Sequence, residues 1–122
     1  MDECIEIAGT RLLVCGEDGP RLQTSGDINM FLSEAWAANA TMIAIPVARL
    51  GDDFFQLRSG LAGEVAQKFV NYQIRVAIVG DISHWLAASK ALTDFVFESN
   101  RGQALWFADN INEVQKRLAA HP

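Results

Sequence analysis

Two short stretches near the start of the chain alternate apolar and polar residues, as strands with one buried face do. They cover residues 4–7 and 11–15, and between them Gly9 supplies the positive φ of a tight turn. The pattern predicts a β-hairpin that turns at Gly9-Thr10 and sets Cys4 opposite Cys15. Its apolar face is expected to carry Ile5, Ile7, Leu12 and Val14.

Beyond the hairpin, short apolar runs alternate with segments whose apolar residues recur at helical spacing. The runs at 42–47, 75–80 and 104–108 predict strands. Pro46 is expected to end or loosen the pairing of the first of these, because it cannot donate a backbone hydrogen bond. Helices are predicted after Thr24 or Ser25, from Ser59 to about Asn71, in one or two pieces between 85 and 96, and near the chain end. The first helix is expected to bury Ile28, Phe31, Leu32, Ala35 and Trp36, and the last to bury Ile111, Val114 and Leu118.

The order of these elements fixes the expected topology. After the hairpin, each connection between strands carries a helix, which favours right-handed parallel crossovers with helices packed on the sheet. The sequence therefore predicts an α/β fold: a mixed, mostly parallel five-stranded sheet in β-β-α-β-α-β-α-β-α order, forming one domain over residues 1–122.

Composition narrows the environment and the partners. The net charge is −5 and the basic residues are dispersed, so no nucleic acid partner is expected. No apolar stretch reaches the length of a membrane span and no leader pattern opens the chain, which predicts a cytoplasmic protein that does not enter a membrane. The two cysteines, Cys4 and Cys15, are expected to be reduced thiols.

The richest polar region is expected to be a loop over residues 51–57 that leads into a helix at Ser59. Ser59 is a good N-cap, because its hydroxyl can accept a backbone N–H that lacks a partner in the first helical turn. With aromatic and charged neighbours, this region is predicted to face a protein partner. The predicted binding surface consists of Asp52, Asp53, Phe54, Arg58, Ser59, Gly60, Glu64, Asp81 and Asn100.

Four segments carry a family resemblance. Residues 59–64 (SGLAGE), 68–72 (KFVNY), 77–81 (AIVGD) and 98–102 (ESNRG) are similar to an uncharacterised, largely bacterial family, domain of unknown function four-one-eight-zero. The resemblance runs from about residue 27 to 118. It implies a small single-domain protein and assigns no activity.

The element order also resembles that of STAS domains, which occur in anti-anti-sigma factors and anion-transporter tails. Their Asp-Ser-Ser/Thr-Gly-Leu-Gly motif is phosphorylated on the Ser or Thr before the glycine, and Ser59-Gly60-Leu61 is similar to that part of it. The resemblance implies phosphorylation of Ser59 by a partner kinase. Leu57, Arg58 and Ala62 depart from the motif.

These observations predict a noncatalytic regulatory or protein-interaction module, with Ser59 as its candidate switch. A protein partner is expected, and a homodimer is a further option. The alternative is a small enzyme or small-molecule binder with a pocket at the strand carboxyl ends around Asp53, Ser59, Asp81 and Asn100. Ser59 and His84 could form a catalytic pair, but Ser59 does not lie in a nucleophile-elbow motif. Gly60 and Gly63 do not have the spacing of a phosphate-binding glycine motif. No catalytic residue, metal or cofactor is expected.

Overall fold

A five-stranded sheet organises the computed structural model, which describes residues 2–120. The strands are β1 (Glu3–Ile7), β2 (Thr10–Val14), β3 (Met42–Pro46), β4 (Arg75–Val79) and β5 (Leu105–Ala108). They lie side by side in chain order; β1 and β2 are antiparallel, and every later pair is parallel. The predicted mixed, mostly parallel α/β sheet is confirmed, and β3 ends at Pro46 as expected.

Helices connect the parallel strands and follow the last one. They are α1 (Ile28–Ala37), α2 (Asp52–Phe55), α3 (Leu61–Asn71), α4 (Ser83–Ala88), α5 (Lys90–Arg101) and α6 (Ile111–Ala120). Three 3-10 turns accompany them, at Ser25–Asp27, Val47–Arg49 and Leu57–Ser59. Among residues 2–120, no helix has both the length and the apolar character needed to cross a membrane.

The two faces of the sheet are covered unequally. On one face, α1 to α5 pack over residues such as Ile43, Ile45 and Ile78 and form the larger core. On the other face, the smaller core unites Leu12, Met42, Ala44, Ala77 and Trp106 with Val114 and Leu118, the two buried residues of α6. Strands in sequential order joined by same-handed crossovers place their connecting helices on one side. Within residues 2–120, the helix that covers the other side is therefore α6.

The hairpin turns one residue earlier than the sequence predicts, which shifts the pairing of its two strands by two residues. Its two turn residues are Ala8 and Gly9, both with positive φ (50° and 84°), as a tight two-residue turn of this kind requires. Cys4 therefore lies opposite Leu13, and Cys15 lies beyond the end of β2. The predicted Cys4–Cys15 pairing is wrong, while the apolar face is retained because a shift of two residues preserves the alternation.

Trp36 departs from the predicted buried stripe of the first helix. Four of its predicted members are buried, but Trp36 is 48% exposed and meets the ring of Tyr72 edge-on, with 5.0 Å between the ring centroids. It lies in the last turn of α1, and Tyr72, just after α3, covers only part of its side chain. The stripe narrows at the end of the helix.

Candidate functional site

The junction between α2 and α3 is an outward-facing turn built around Ser59. Ser59 ends the 3-10 turn, and Gly60 follows with a φ of 78°, a left-handed conformation that favours glycine. The Ser59 hydroxyl donates to the carbonyl of Asp53 at 2.6 Å and accepts the N–H of Leu61 at 3.2 Å. Ser59 was predicted to be the N-cap residue, but α3 begins at Leu61 and Gly60 holds the N-cap position. The Ser59 hydroxyl therefore caps α3 from one residue before the N-cap, and it also links α2 to α3.

Phe54 belongs to the core and not to the surface, which corrects its predicted place in the binding surface. The segment expected to be a loop forms the short helix α2, which turns both Phe54 and Phe55 inward, to 1% and 2% exposure. Their rings pack edge to face, with centroids 5.1 Å apart. Adjacent side chains on a helix point about 100° apart. Phe54 and Phe55 can therefore both enter the core.

Trp85 of α4 connects α2 to the next helical layer. Its ring stacks on Phe55 with centroids 4.1 Å apart, and its indole N–H donates to the Asp52 carboxylate at 3.3 Å. Beside this contact lies an open groove of about 460 Å³. The groove is lined by Phe55, Gln56, Leu57, Arg58, Trp85, Ala88, Ser89 and Ala91.

The predicted surface residues outside this segment serve local structure. Asp81 is exposed and accepts the N–H of Ser83 at 2.9 Å; hydrogen bonds from the Ser83 side chain and backbone hold the pKa of Asp81 below its usual value. The half-buried Asn100 accepts the N–H of Phe107 at 2.7 Å. Glu64 is exposed in the first turn of α3.

Asp53 and Asn100, two residues of the alternative pocket, line different cavities. The cavity at the carboxyl ends of β4 and β5 has a volume of about 200 Å³, and its lining includes Asn100 but not Asp53, Ser59 or Asp81. The Ser59 hydroxyl is engaged by backbone groups of Asp53 and Leu61, while the His84 ring packs on Trp85 with centroids 3.9 Å apart. The hydrogen bonds of Ser59 do not link it to a catalytic base.

A second polar cluster lies at the carboxyl end of β2, and the sequence analysis does not foresee it. Oxygen atoms of Asp2 and Glu34 and the sulfur of Cys15 lie within 4.8 Å of one another. The Arg49 guanidinium, with a side chain only 3% exposed, lies 4.0 Å from the Asp2 carboxylate. The four residues come from separate segments, so no sequence spacing indicates that they meet. The one sequence feature that could have pointed to the cluster is Arg49, a charged residue close to the apolar run of β3.

Burial dominates the electrostatics of this cluster. It raises the pKa of the Cys15 thiol to about 12, and the negative charges of Asp2 and Glu34 act in the same direction against the opposing effect of Arg49. Burial also raises the pKa of Glu34, with Asp2 adding to the shift. The free thiol is therefore protonated at neutral pH and is a poor nucleophile.

A known protein family matches nearly the whole fold. Residues 7–118, from the end of β1 to the last buried residue of α6, match the family described as Domain of unknown function (DUF4180). The chain belongs to this family. Neither a search of curated proteins nor a search of solved structures gives a match.

Proposed function

We propose that this protein is a noncatalytic regulatory module that binds a protein partner, and that phosphorylation of Ser59 switches the binding. The observation that carries the proposal is the exposed Ser59 hydroxyl, which holds α2 to α3 through Asp53 and Leu61. The proposal places the module in the cytoplasm, where kinases act, and takes STAS domains as its architectural analogue.

Phosphorylation would change this junction in a defined way. The phosphoserine ester oxygen has no hydrogen, so the Asp53 carbonyl loses the donor that now lies 2.6 Å away. The added phosphate brings about two negative charges to the amino end of α3, where free N–H groups and the helix dipole favour an anion. The α2 side is thus released while the α3 side is stabilised.

The groove beside Trp85 is the proposed contact surface. The partly exposed Leu57 and the small exposed residues Ala88 and Ala91 leave room for a partner's apolar side chain, and Arg58 adds a positive charge to the lining. Because Arg58 precedes Ser59 in the chain, a phosphate on Ser59 would alter the charge of the groove as well as the helix junction.

Affinity capture from the native host tests the switch with wild type, Ser59→Ala and Ser59→Asp. We expect a partner whose recovery differs between the alanine and aspartate variants, and a fraction of the wild type phosphorylated on Ser59 by mass spectrometry. Ser33→Asp is the matched control, since Ser33 is exposed on α1 and receives the same charge. Equal recovery in all variants together with unmodified Ser59 would contradict the switch.

A pair of groove variants tests the contact surface separately. Ala88→Glu adds a charged side chain at the groove and should abolish capture of the partner, whereas Ala119→Glu makes the same change on the exposed side of α6 and should leave it intact. Thermal unfolding of both proteins verifies that they fold. Capture that survives Ala88→Glu would place the partner elsewhere.

A further inference from the structure

The cluster at the carboxyl end of β2 offers donor atoms from three separate parts of the chain. Cys15 follows β2, Glu34 lies on α1, and Asp2 precedes β1. The sulfur and two carboxylate oxygens lie within 4.8 Å of one another. Ligands of a tetrahedral zinc ion are roughly 3.5 Å apart, so the cluster needs to contract by about 1 Å. Asp2 is exposed, and its Oδ1 accepts the Gly16 N–H at 2.8 Å, so the contraction requires its carboxylate to turn toward Cys15 and Glu34 while Gly16 holds one oxygen.

In the described part of the chain, two donor atoms of the cluster are buried without a hydrogen-bond partner, although Glu34 as a residue is only partly buried. The Glu34 Oε2 atom is wholly buried and has no hydrogen-bond partner. Cys15 is 4% exposed, and within residues 2–120 no hydrogen bond reaches its sulfur. An unpaired carboxylate oxygen inside a protein is costly, and such exceptions call for an explanation, such as an ion that accepts its lone pair.

Arg49 sets the charge balance of the cluster. It is 2% exposed, donates to the carbonyls of Pro20 and Gly16, and stacks over the Phe31 ring at 4.8 Å. With the thiol protonated, two carboxylates and one guanidinium leave one negative charge. A divalent cation that displaces the thiol proton brings the same four side chains to neutrality, which suits a buried site.

We infer that Asp2, Cys15 and Glu34 bind a divalent cation that accepts both sulfur and oxygen ligands, with Zn²⁺ as the best match. Binding breaks the Cys15 S–H bond, forms a metal–sulfur bond and releases the proton to solvent, with no change of oxidation state. Mixed thiolate and carboxylate ligands favour Zn²⁺ over Mg²⁺ or Ca²⁺, which prefer oxygen alone. Three protein ligands leave the fourth position to water. This inference is independent of the proposed role of Ser59.

The test uses the full chain, stripped of metal with a chelator and kept reduced. Zn²⁺ affinity is measured by competition with a chromophoric chelator, and Co²⁺ is added as a spectroscopic probe. We expect one equivalent of each metal to bind, and the Co²⁺ form to show a thiolate charge-transfer band in the near ultraviolet.

Variants assign the ligands. Cys15→Ser should abolish the cobalt band and weaken Zn²⁺ binding by at least about 100-fold, and Glu34→Gln and Asp2→Asn should each weaken it by at least about tenfold. Cys4→Ser and Glu64→Gln are the matched controls and should bind like wild type. Asp2 is exposed, so Asp2→Asn remains informative even if a variant at a buried position fails to fold.

Three results would overturn the inference. The first is a wild-type protein without a thiolate–cobalt band, and the second is a band lost in Cys4→Ser but kept in Cys15→Ser. The third is Zn²⁺ affinity unchanged in Asp2→Asn, which would place the ion on other groups.

Discussion

At the scale of single residues, the backbone between β4 and α4 depends on Gly80. Its φ is 140°, and a Cβ built there would lie 2.8 Å from Cγ2 of Val47 and 3.0 Å from its Cβ. Both the backbone conformation and the branched side chain of Val47 thus exclude a larger residue. The glycine permits a sharp turn out of the sheet at the edge where Asp81 follows.

Gly80→Ala should therefore lower the free energy of unfolding by about 1–3 kcal/mol, through backbone strain and the contact with Val47. Urea denaturation measures the loss. Gly63→Ala is the matched control: Gly63 lies in α3 with nothing near its added Cβ, so this change should stabilise the protein by up to about 1 kcal/mol. Equal effects of the two variants would show that Val47 yields freely.

Asp27 makes stability depend on pH. Backbone N–H groups of Gln23 and Thr24 donate to its carboxylate at 2.9 and 3.0 Å and, in that order, hold the pKa of Asp27 below its usual value. A pKa that is lower in the folded state gives stability that is present above the unfolded value of about 3.9 and is lost as pH falls through the folded value.

Asp27→Asn should consequently be less stable than wild type near neutral pH, and the difference should shrink on acidification through that range. Denaturation curves at a series of pH values measure it. Asp109→Asn removes the same charge from an exposed position near a helix start and controls for the loss of one carboxylate. A gap between wild type and Asp27→Asn that widens at low pH would contradict the assignment.

At the scale of elements, α2 is four residues long and holds its place through two aromatic side chains. Periodicity needs several turns to show itself, so a single helical turn at 52–55 reads as a loop in the sequence. The longer α1, α3 and α6 were predictable because their apolar residues repeat over at least two turns. The hairpin register was not, since two turn positions that differ by one residue fit the same alternation.

The inward position of Phe54 predicts that its truncation lowers the stability of the fold. Phe54→Ala should cost about 3–5 kcal/mol in unfolding free energy, because it leaves a cavity beneath α2. Phe97→Ala, at a residue 63% exposed on α5, should cost under about 1 kcal/mol. Chemical denaturation compares them, and a small loss in Phe54→Ala would mean that α2 packs loosely.

At the scale of the whole molecule, the second face of the sheet depends on α6. Leu118 is fully buried there, and Arg117 fixes the helix by donating to the Asn100 carbonyl and stacking over Trp106 at 4.0 Å. The element order and the mixed sheet were predictable from alternating periods of two and 3.6 residues. The cluster of Asp2, Cys15 and Glu34 was not, because only the folded chain brings these residues together.

Leu118→Ala should cost about 2–5 kcal/mol and expose apolar surface of the second core. Denaturation and binding of a dye specific for apolar surface measure both effects. Lys116→Ala alters an exposed residue of the same helix and should change stability by under about 0.5 kcal/mol. If both variants behave alike, the sheet face is shielded by something other than α6.

The unequal cover of the sheet has a consequence for synthesis. Because each strand pairs with its neighbour in the chain, a nascent polypeptide can add β-α units one at a time as they leave the ribosome. The contact between α6 and β1 is different, since it joins segments from opposite ends of the described chain and closes last. Until residues 111–120 emerge, Leu12, Met42 and Trp106 present an apolar sheet face to chaperones.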